Sequence, residues 1–159
     1  MNRPRIPIED RFWAKVDKSG DCWEWTGARS SYGYGLFSLG NRKGTNAHRA
    51  AYKLTHGDID PNMYVDHICR NRGCVRPEHL RLVTPGQNVE HQNGHRDSRS
   101  GHRGVAWHQG SQKWRVTATK NGKTHFGGAF NDLEKAAEAA RLLRLEIFTH
   151  NELDRMAAR

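Results

Sequence analysis

Val65-Asp66-His67-Ile68-Cys69-Arg70-Asn71-Arg72-Gly73-Cys74-Val75-Arg76-Pro77-Glu78-His79-Leu80-Arg81-Leu82-Val83 holds two of the chain's three cysteines and two histidines, and Thr84-Pro85-Gly86-Gln87-Asn88 follows at once. Tyr64–Ile68 and Leu80–Val83 read as short strands, rich in β-branched and apolar residues. Thr84 with Gln87 makes a capping box, and Pro85 suits the first position of a helix. The order is strand, ligand-rich loop, strand, helix. Asn88 falls on that helix's first turn or just beyond it.

Cys69-x4-Cys74-x4-His79 has the spacing of a zinc knuckle, with Gly73 easing the turn between the thiolates. A closed structural zinc site takes four tetrahedral ligands from Cys and His. Cys22 is the only cysteine left to complete the set, and its neighbours Trp23 and Trp25 would shield the site from water. His48 is the alternative fourth ligand. Three cysteines cannot all pair within one chain, so a disulfide framework explains them poorly. With 35% hydrophobic residues and a mean hydropathy of -0.92, the chain has little from which to build a core. A metal is the usual supplement in a domain of that kind.

Twenty-six Lys and Arg against 17 acids give 159 residues a net charge of +9 and a pI near 9.9. Basic residues interleaved with aromatics point to a polyphosphate partner. The opening Met1-Asn2-Arg3-Pro4-Arg5 leads into no apolar run of the secretory kind, and nothing approaches the ~18 apolar residues of a membrane helix. A cytoplasmic protein with reduced thiols is expected, and no membrane partner.

The expected fold class is α+β. Residues 8–16 read as a short amphipathic helix, and 22–39, rich in Gly and aromatics, as a hairpin or meander. Asn46 is placed to cap a helix over Ala47–Thr55, with Gly57 as its stop. The chain from His91 to Gly101 has no apolar residue and reads as basic linker. Three strand-like runs follow, at 101–108, 113–119 and 123–128, the last two joined by Asn121-Gly122, a strong hairpin signal. Asn131 or Asp132 then caps a helix over 133–148 whose apolar residues recur at helical spacing. The organisation expected is a zinc-stabilised domain over 1–92, a linker over 93–101, and a three-stranded antiparallel sheet with one helix over 102–159.

With zinc on Cys69, Cys74 and His79, His67 is left as a base, since a neutral imidazole can take a proton from water near neutral pH. Phosphodiester hydrolysis also needs a hard divalent ion on the scissile phosphate, and oxygen donors suit magnesium. Asn88 is the natural ligand and Asp66 the weaker second one.

Asp66-His67-Ile68-Cys69-Arg70-Asn71-Arg72-Gly73-Cys74-Val75-Arg76-Pro77-Glu78-His79-Leu80, followed by Thr84-Pro85-Gly86-Gln87-Asn88, resembles the HNH, or His-Me finger, nucleases of ββα-metal fold. Within that group it is most similar to the His-Cys box homing endonucleases of mobile introns and to phage HNH homing enzymes. The resemblance implies His67 as general base, Asn88 as catalytic magnesium ligand, and a structural zinc on Cys22, Cys69, Cys74 and His79. The second zinc cluster of the His-Cys box enzymes has no cysteines left to form it here.

The stretch 102–148 resembles the APETALA/ethylene-response-factor DNA-binding domain, whose sheet lies in the major groove. That resemblance implies double-stranded DNA as partner and Arg103, Trp107, Lys113, Trp114, Arg115, Thr117, Lys123 and His125 as contacts, to which Arg49 is added from the first domain. The function expected is a site-targeting DNA endonuclease, phage- or mobile-element-encoded and acting in the host cytoplasm. A zinc-scaffolded DNA-binding regulator and a non-specific nuclease are the alternatives. Cutting both strands with one active site would call for a homodimer.

Overall fold

The computed structural model describes residues 6–40, 42–91 and 98–156, which fall into two units, Met1–Thr84 and Pro85–Arg159. The division lies at Thr84/Pro85, ahead of the expected domain end at 92. Of the expected linker, 93–97 lie outside the described residues.

In the first unit, α1 (Ile8–Trp13) ends before Val16, which joins β1 (Val16–Asp17) opposite Trp25 of β2 (Glu24–Trp25). The expected helix over 8–16 is therefore shorter. The aromatic stretch 22–39 does not form one hairpin either: β3 (Leu36–Gly40) pairs forward with β4 (Lys43–Asn46). The glycines of that stretch serve packing instead. A Cβ at Gly27 would come within 2.8 Å of the Trp25 indole, and one at Gly35 within 2.6 Å. Both leave room for a tryptophan that is 1% exposed.

Trp25 stacks on Phe12 at 5.1 Å between ring centroids and meets Phe37 edge-on at 5.7 Å. Ala47, Ala50 and Ala51 of α2 (Ala47–His56) join the same core, with Val65, Val75 and Leu80. Asn46 precedes α2 with an extended backbone, but its side chain makes no capping bond; Gly57, at φ 92°, closes the helix. β5 (Tyr64–His67) and β6 (Leu80–Val83) pair antiparallel with Asp66 opposite Arg81 and His67 opposite Leu80. A 3-10 turn over Pro77–His79 leads into β6.

The second unit opens with α3 (Pro85–Glu90), then β7 (Val105–His108), β8 (Lys113–Lys120) and β9 (Lys123–Phe130) in one antiparallel sheet of order β7-β8-β9. Asn121 (φ 50°) and Gly122 (φ 76°) make the two-residue turn that their sequence implies. α4 (Leu133–Ile147) is capped by Asp132, whose carboxylate accepts from the Lys135 N–H at 2.8 Å. One face of the sheet packs on α4 through Val105, Val116, Ala136 and Ala140, with Trp114, Phe130 and Leu143 around them. α5 (Glu152–Met156) is tied to α4 by the buried Arg144–Asp154 ion pair, Nε to Oδ2 at 2.7 Å and Nη2 to Oδ1 at 2.8 Å. No helix among the described residues is long and apolar enough to cross a membrane.

Candidate metal and catalytic centre

The ligand atoms of Cys22, Cys69, Cys74 and His79 all lie within 4.8 Å of one another. His79 Nδ1 is 3.7 Å from Cys22 Sγ and 3.6 Å from Cys74 Sγ. Bonds of about 2.3 Å to sulfur and 2.0 Å to nitrogen in a tetrahedron put S and N about 3.5 Å apart, so the donor set and its span are compatible with zinc. His48, the alternative fourth ligand, is not in the cluster.

The main chain explains why Cys22 completes the set. Trp25 N–H donates to the Gly73 carbonyl at 2.9 Å, and Val75 N–H to the Trp23 carbonyl at 2.8 Å. Glu24 thereby bridges Cys74, and the segment just after Cys22 is zipped to the knuckle. A Cβ at Gly73 would lie 2.5 Å from the Arg29 guanidinium, the flexible end of a side chain that would have to shift aside.

Electrostatics favour a cation at this point. Contact with Cys69 and then burial push the Cys74 thiol far above its ordinary range, while burial raises Cys22 and a hydrogen bond from Cys74 lowers Cys69. Three crowded sulfurs cannot all ionise alone, and a divalent ion removes that conflict. Asp21 Oδ2 lies 3.8 Å from His79 Nε2, and Asp21 also accepts from Arg76 Nη1 at 2.9 Å. A carboxylate behind a ligating imidazole is the usual outer support of such a site.

His67 ends β5 one residue away from the knuckle and is 6% exposed. Its Nε2 donates to the Cys74 carbonyl at 3.0 Å, so the proton belongs on Nε2 and the lone pair on Nδ1. The cluster therefore orients the imidazole through its own backbone. His48 stands beside it, ring centroids 4.5 Å apart, with Tyr34 at 5.5 Å from His48. Burial, then the charges of His67 and Arg49, lower the His48 pKa to about 3. Asp66 is engaged by Arg81, its Oδ2 accepting from Nε at 3.1 Å and Nη2 at 2.9 Å, as their direct cross-strand pairing dictates.

Asn88 is half-buried on α3, which begins at Pro85 as the sequence indicates. It belongs to the second unit, while Asp66 and His67 belong to the first.

Residues 46–90 match the HNH endonuclease family model. The HNH segment runs from the residue before α2 to the end of α3, and so contains His48, Asp66, His67, Cys69, Cys74, His79 and Asn88 but not Cys22. Among curated proteins the chain is similar to Protein 7.7 of Escherichia phage T7, 43% identical over 70 residues, covering 44% of this chain and 53% of that protein. It is also similar to Protein 2.8 of the same phage, 40% identical over 46% of this chain and 50% of that one. A third relative is the Uncharacterized gene 5.3 protein of Enterobacteria phage T3, 35% identical over 38% of this chain and 65% of that protein. The chain thus spans about half the length of the first two curated relatives it matches. No solved structure matches it.

Beyond the HNH segment, strand pairing sorts the residues expected to contact DNA. Lys113, Arg115 and Thr117 alternate with Trp114 and Val116 on β8, so they occupy the face away from α4. Phe126, opposite Thr117, shares their face; it is 60% exposed, with the Arg115 guanidinium 5.3 Å from its ring centroid. Sequence reading missed Phe126 because the bulge at Val116/Thr117 shifts β9 by one residue. Trp107 and Trp114 pair edge-to-face at 5.0 Å on the helix side, where Trp114 joins the core, and His125, opposite Ala118, lies on that side too. Lys123 is at the exposed end of β9, and Arg49 is on α2 beside His48. Arg103 is committed elsewhere: its guanidinium donates to the Glu90 carbonyl at 2.8 Å and the Val89 carbonyl at 2.9 Å.

Proposed function

We propose that this chain is a phage-encoded, divalent-metal-dependent DNA endonuclease of homing type, acting in the host cytoplasm. The reading is carried by one observation: the HNH segment contains a buried histidine whose Nε2–H is held by the carbonyl of a cluster cysteine. His67 Nδ1 takes a proton from water as the oxygen attacks phosphorus, and the bond from phosphorus to the leaving oxygen breaks, its electron pair departing with that oxygen. The Cys74 carbonyl keeps the ring turned for that transfer and steadies the positive charge that the imidazole gains. Cys22, Cys69, Cys74 and His79 hold a structural zinc.

The Asn88 amide oxygen and the Asp66 carboxylate are hard donors that fit magnesium, which supplies charge stabilisation at the scissile phosphate and leaving oxygen. Arg81 competes for Asp66, which makes Asn88 the principal ligand. The open sheet face of Lys113, Arg115, Thr117 and Phe126 provides DNA affinity and part of the site choice. Lysine meets phosphate, arginine reads guanine, and the exposed ring makes apolar contact with bases.

Supercoiled plasmid incubated with the protein tests this. Magnesium should convert it to nicked or linear form, and EDTA should stop the reaction. Long genomic DNA should give discrete bands, not a smear. Binding without any conversion in magnesium would leave a DNA-binding regulator, and a smear would leave a non-specific nuclease. Titrating protein while following nicked and linear forms tells whether a homodimer is required.

A further inference from the structure

The helix that carries Asn88 is fastened to the rest of the second, C-terminal unit by a set of buried and charge-assisted bonds that its own six residues cannot supply. Glu90, at the end of α3, is a carboxylate only 4% exposed. Its Oε2 accepts from the Thr149 N–H at 2.8 Å, the Thr149 hydroxyl at 3.1 Å and the His150 N–H at 3.0 Å. These three donors lie about 60 residues along the chain, just past α4. Arg103 covers the last carbonyls of α3, those of Val89 and Glu90, and its guanidinium stands 5.2 Å over the Phe148 ring. His91 Nε2, next in sequence, reaches Glu152 of α5 at 3.4 Å.

A six-residue helix is marginal by itself, because nucleation costs more than so few bonds return. A buried carboxylate is also costly unless its oxygens are hydrogen-bonded. The site of Glu90 is therefore built, not incidental. It anchors α3 two residues beyond Asn88, and Arg103 completes the helix end with donors that favour its negative pole.

We propose that the C-terminal unit is a positioning device for the reaction as well as a DNA-binding surface, with Glu90 and Arg103 as positioning residues that hold the Asn88 amide for magnesium. The inference rests on the nuclease reading above. A metal ligand displaced by about 1 Å can cost roughly 100-fold in rate, so the connection from residue 149 back to residue 88 has catalytic consequence. It also makes the C-terminal unit inseparable from cleavage, even on DNA that the first unit can bind alone.

Full-length Glu90→Ala and Arg103→Ala are compared with wild type and with His67→Ala on the same plasmid. Expected for both is a fall in kcat of about 10- to 100-fold, together with a several-fold rise in the magnesium concentration giving half-maximal rate. DNA affinity measured in EDTA should stay within about twofold, and Glu90→Gln, which retains an acceptor oxygen, should recover part of the loss. Wild-type kcat and magnesium dependence in both Ala variants would overturn the proposal. So would a loss of rate that comes with equal loss of DNA binding, unchanged magnesium dependence and no recovery in Glu90→Gln, which would mark plain destabilisation. Failure of the nuclease reading is seen separately, as a His67→Ala variant that cuts like wild type.

Discussion

Replacing His67 with alanine removes two effects that the structure ties to different atoms of one ring. Nε2–H serves structure: it satisfies the Cys74 carbonyl at 3.0 Å in a position where the imidazole is 6% exposed. Losing that donor leaves a buried carbonyl without its partner, a cost of about 1–3 kcal/mol. Against a total stability of about 5–15 kcal/mol the variant stays folded at 25 °C. Nδ1 serves chemistry: losing a general base lowers the rate about 10²- to 10⁴-fold, equivalent to about 3–5 kcal/mol in the barrier. His67→Gln divides the two, because its amide N–H can still donate to the Cys74 carbonyl but cannot take a proton from water. The alanine variant should lose both stability and rate, and the glutamine variant mainly rate. Thermal melting gives the first quantity, and single-turnover relaxation of supercoiled plasmid in magnesium at 25 °C the second. Cleavage by His67→Ala within about threefold of wild type, or a glutamine variant whose rate recovers along with its stability, would refute the assignment.

Zinc removal should unfold the first unit, since structural zinc sites contribute about 10–16 kcal/mol and an ordinary domain has no more than that to lose. Native mass spectrometry should find one zinc per chain, absent in Cys74→Ser, and an unchanged melting curve after strong chelation would contradict the site. His48 should make the first unit acid-sensitive. Its pKa is about 3 in the folded chain against an ordinary value of 6.5, so the unfolded state binds the extra proton between those limits and stability falls as pH drops below 6.5. From pH 7 to pH 5 the loss should be about 2 kcal/mol, and His48→Leu should remove that part of the slope. Equal slopes for the two proteins in urea titrations would show that His48 is not the cause.

Much of the candidate site was readable because it is local. The knuckle spacing, the strands on either side of it and Pro85 at the start of α3 all depend on residues within a few positions of one another. The Asn121-Gly122 turn and the amphipathic repeat of α4 were legible for the same reason. Features that depend on distant partners were not. The 22–39 stretch reads as a hairpin or meander, yet Gly27 and Gly35 are spaced to admit the Trp25 ring. Arg103 read as one more basic residue of a DNA-binding strand region, and only its bonds to Val89 and Glu90 show it committed to α3. Glu90 is marked by no local pattern, because a lone acid at the end of a short helix gives no local sign of burial.

Residue order alone settles the chemistry available: two thiols and an imidazole at zinc spacing, a third thiol far upstream, one further histidine on a strand, an amide on a helix, and an excess of positive charge. Tertiary structure decided what each group is joined to. Pairing of the Trp23–Trp25 backbone with Gly73 and Val75 brings Cys22, and not His48, to the cluster. A carbonyl of the knuckle sets the His67 tautomer, and a carboxylate buried against residues 149 and 150 anchors the helix of Asn88. The difference is one of range. Spacing and capping act over a few residues and can be read in order. Hydrogen bonds across 50 or 60 residues form only once the chain has closed on itself.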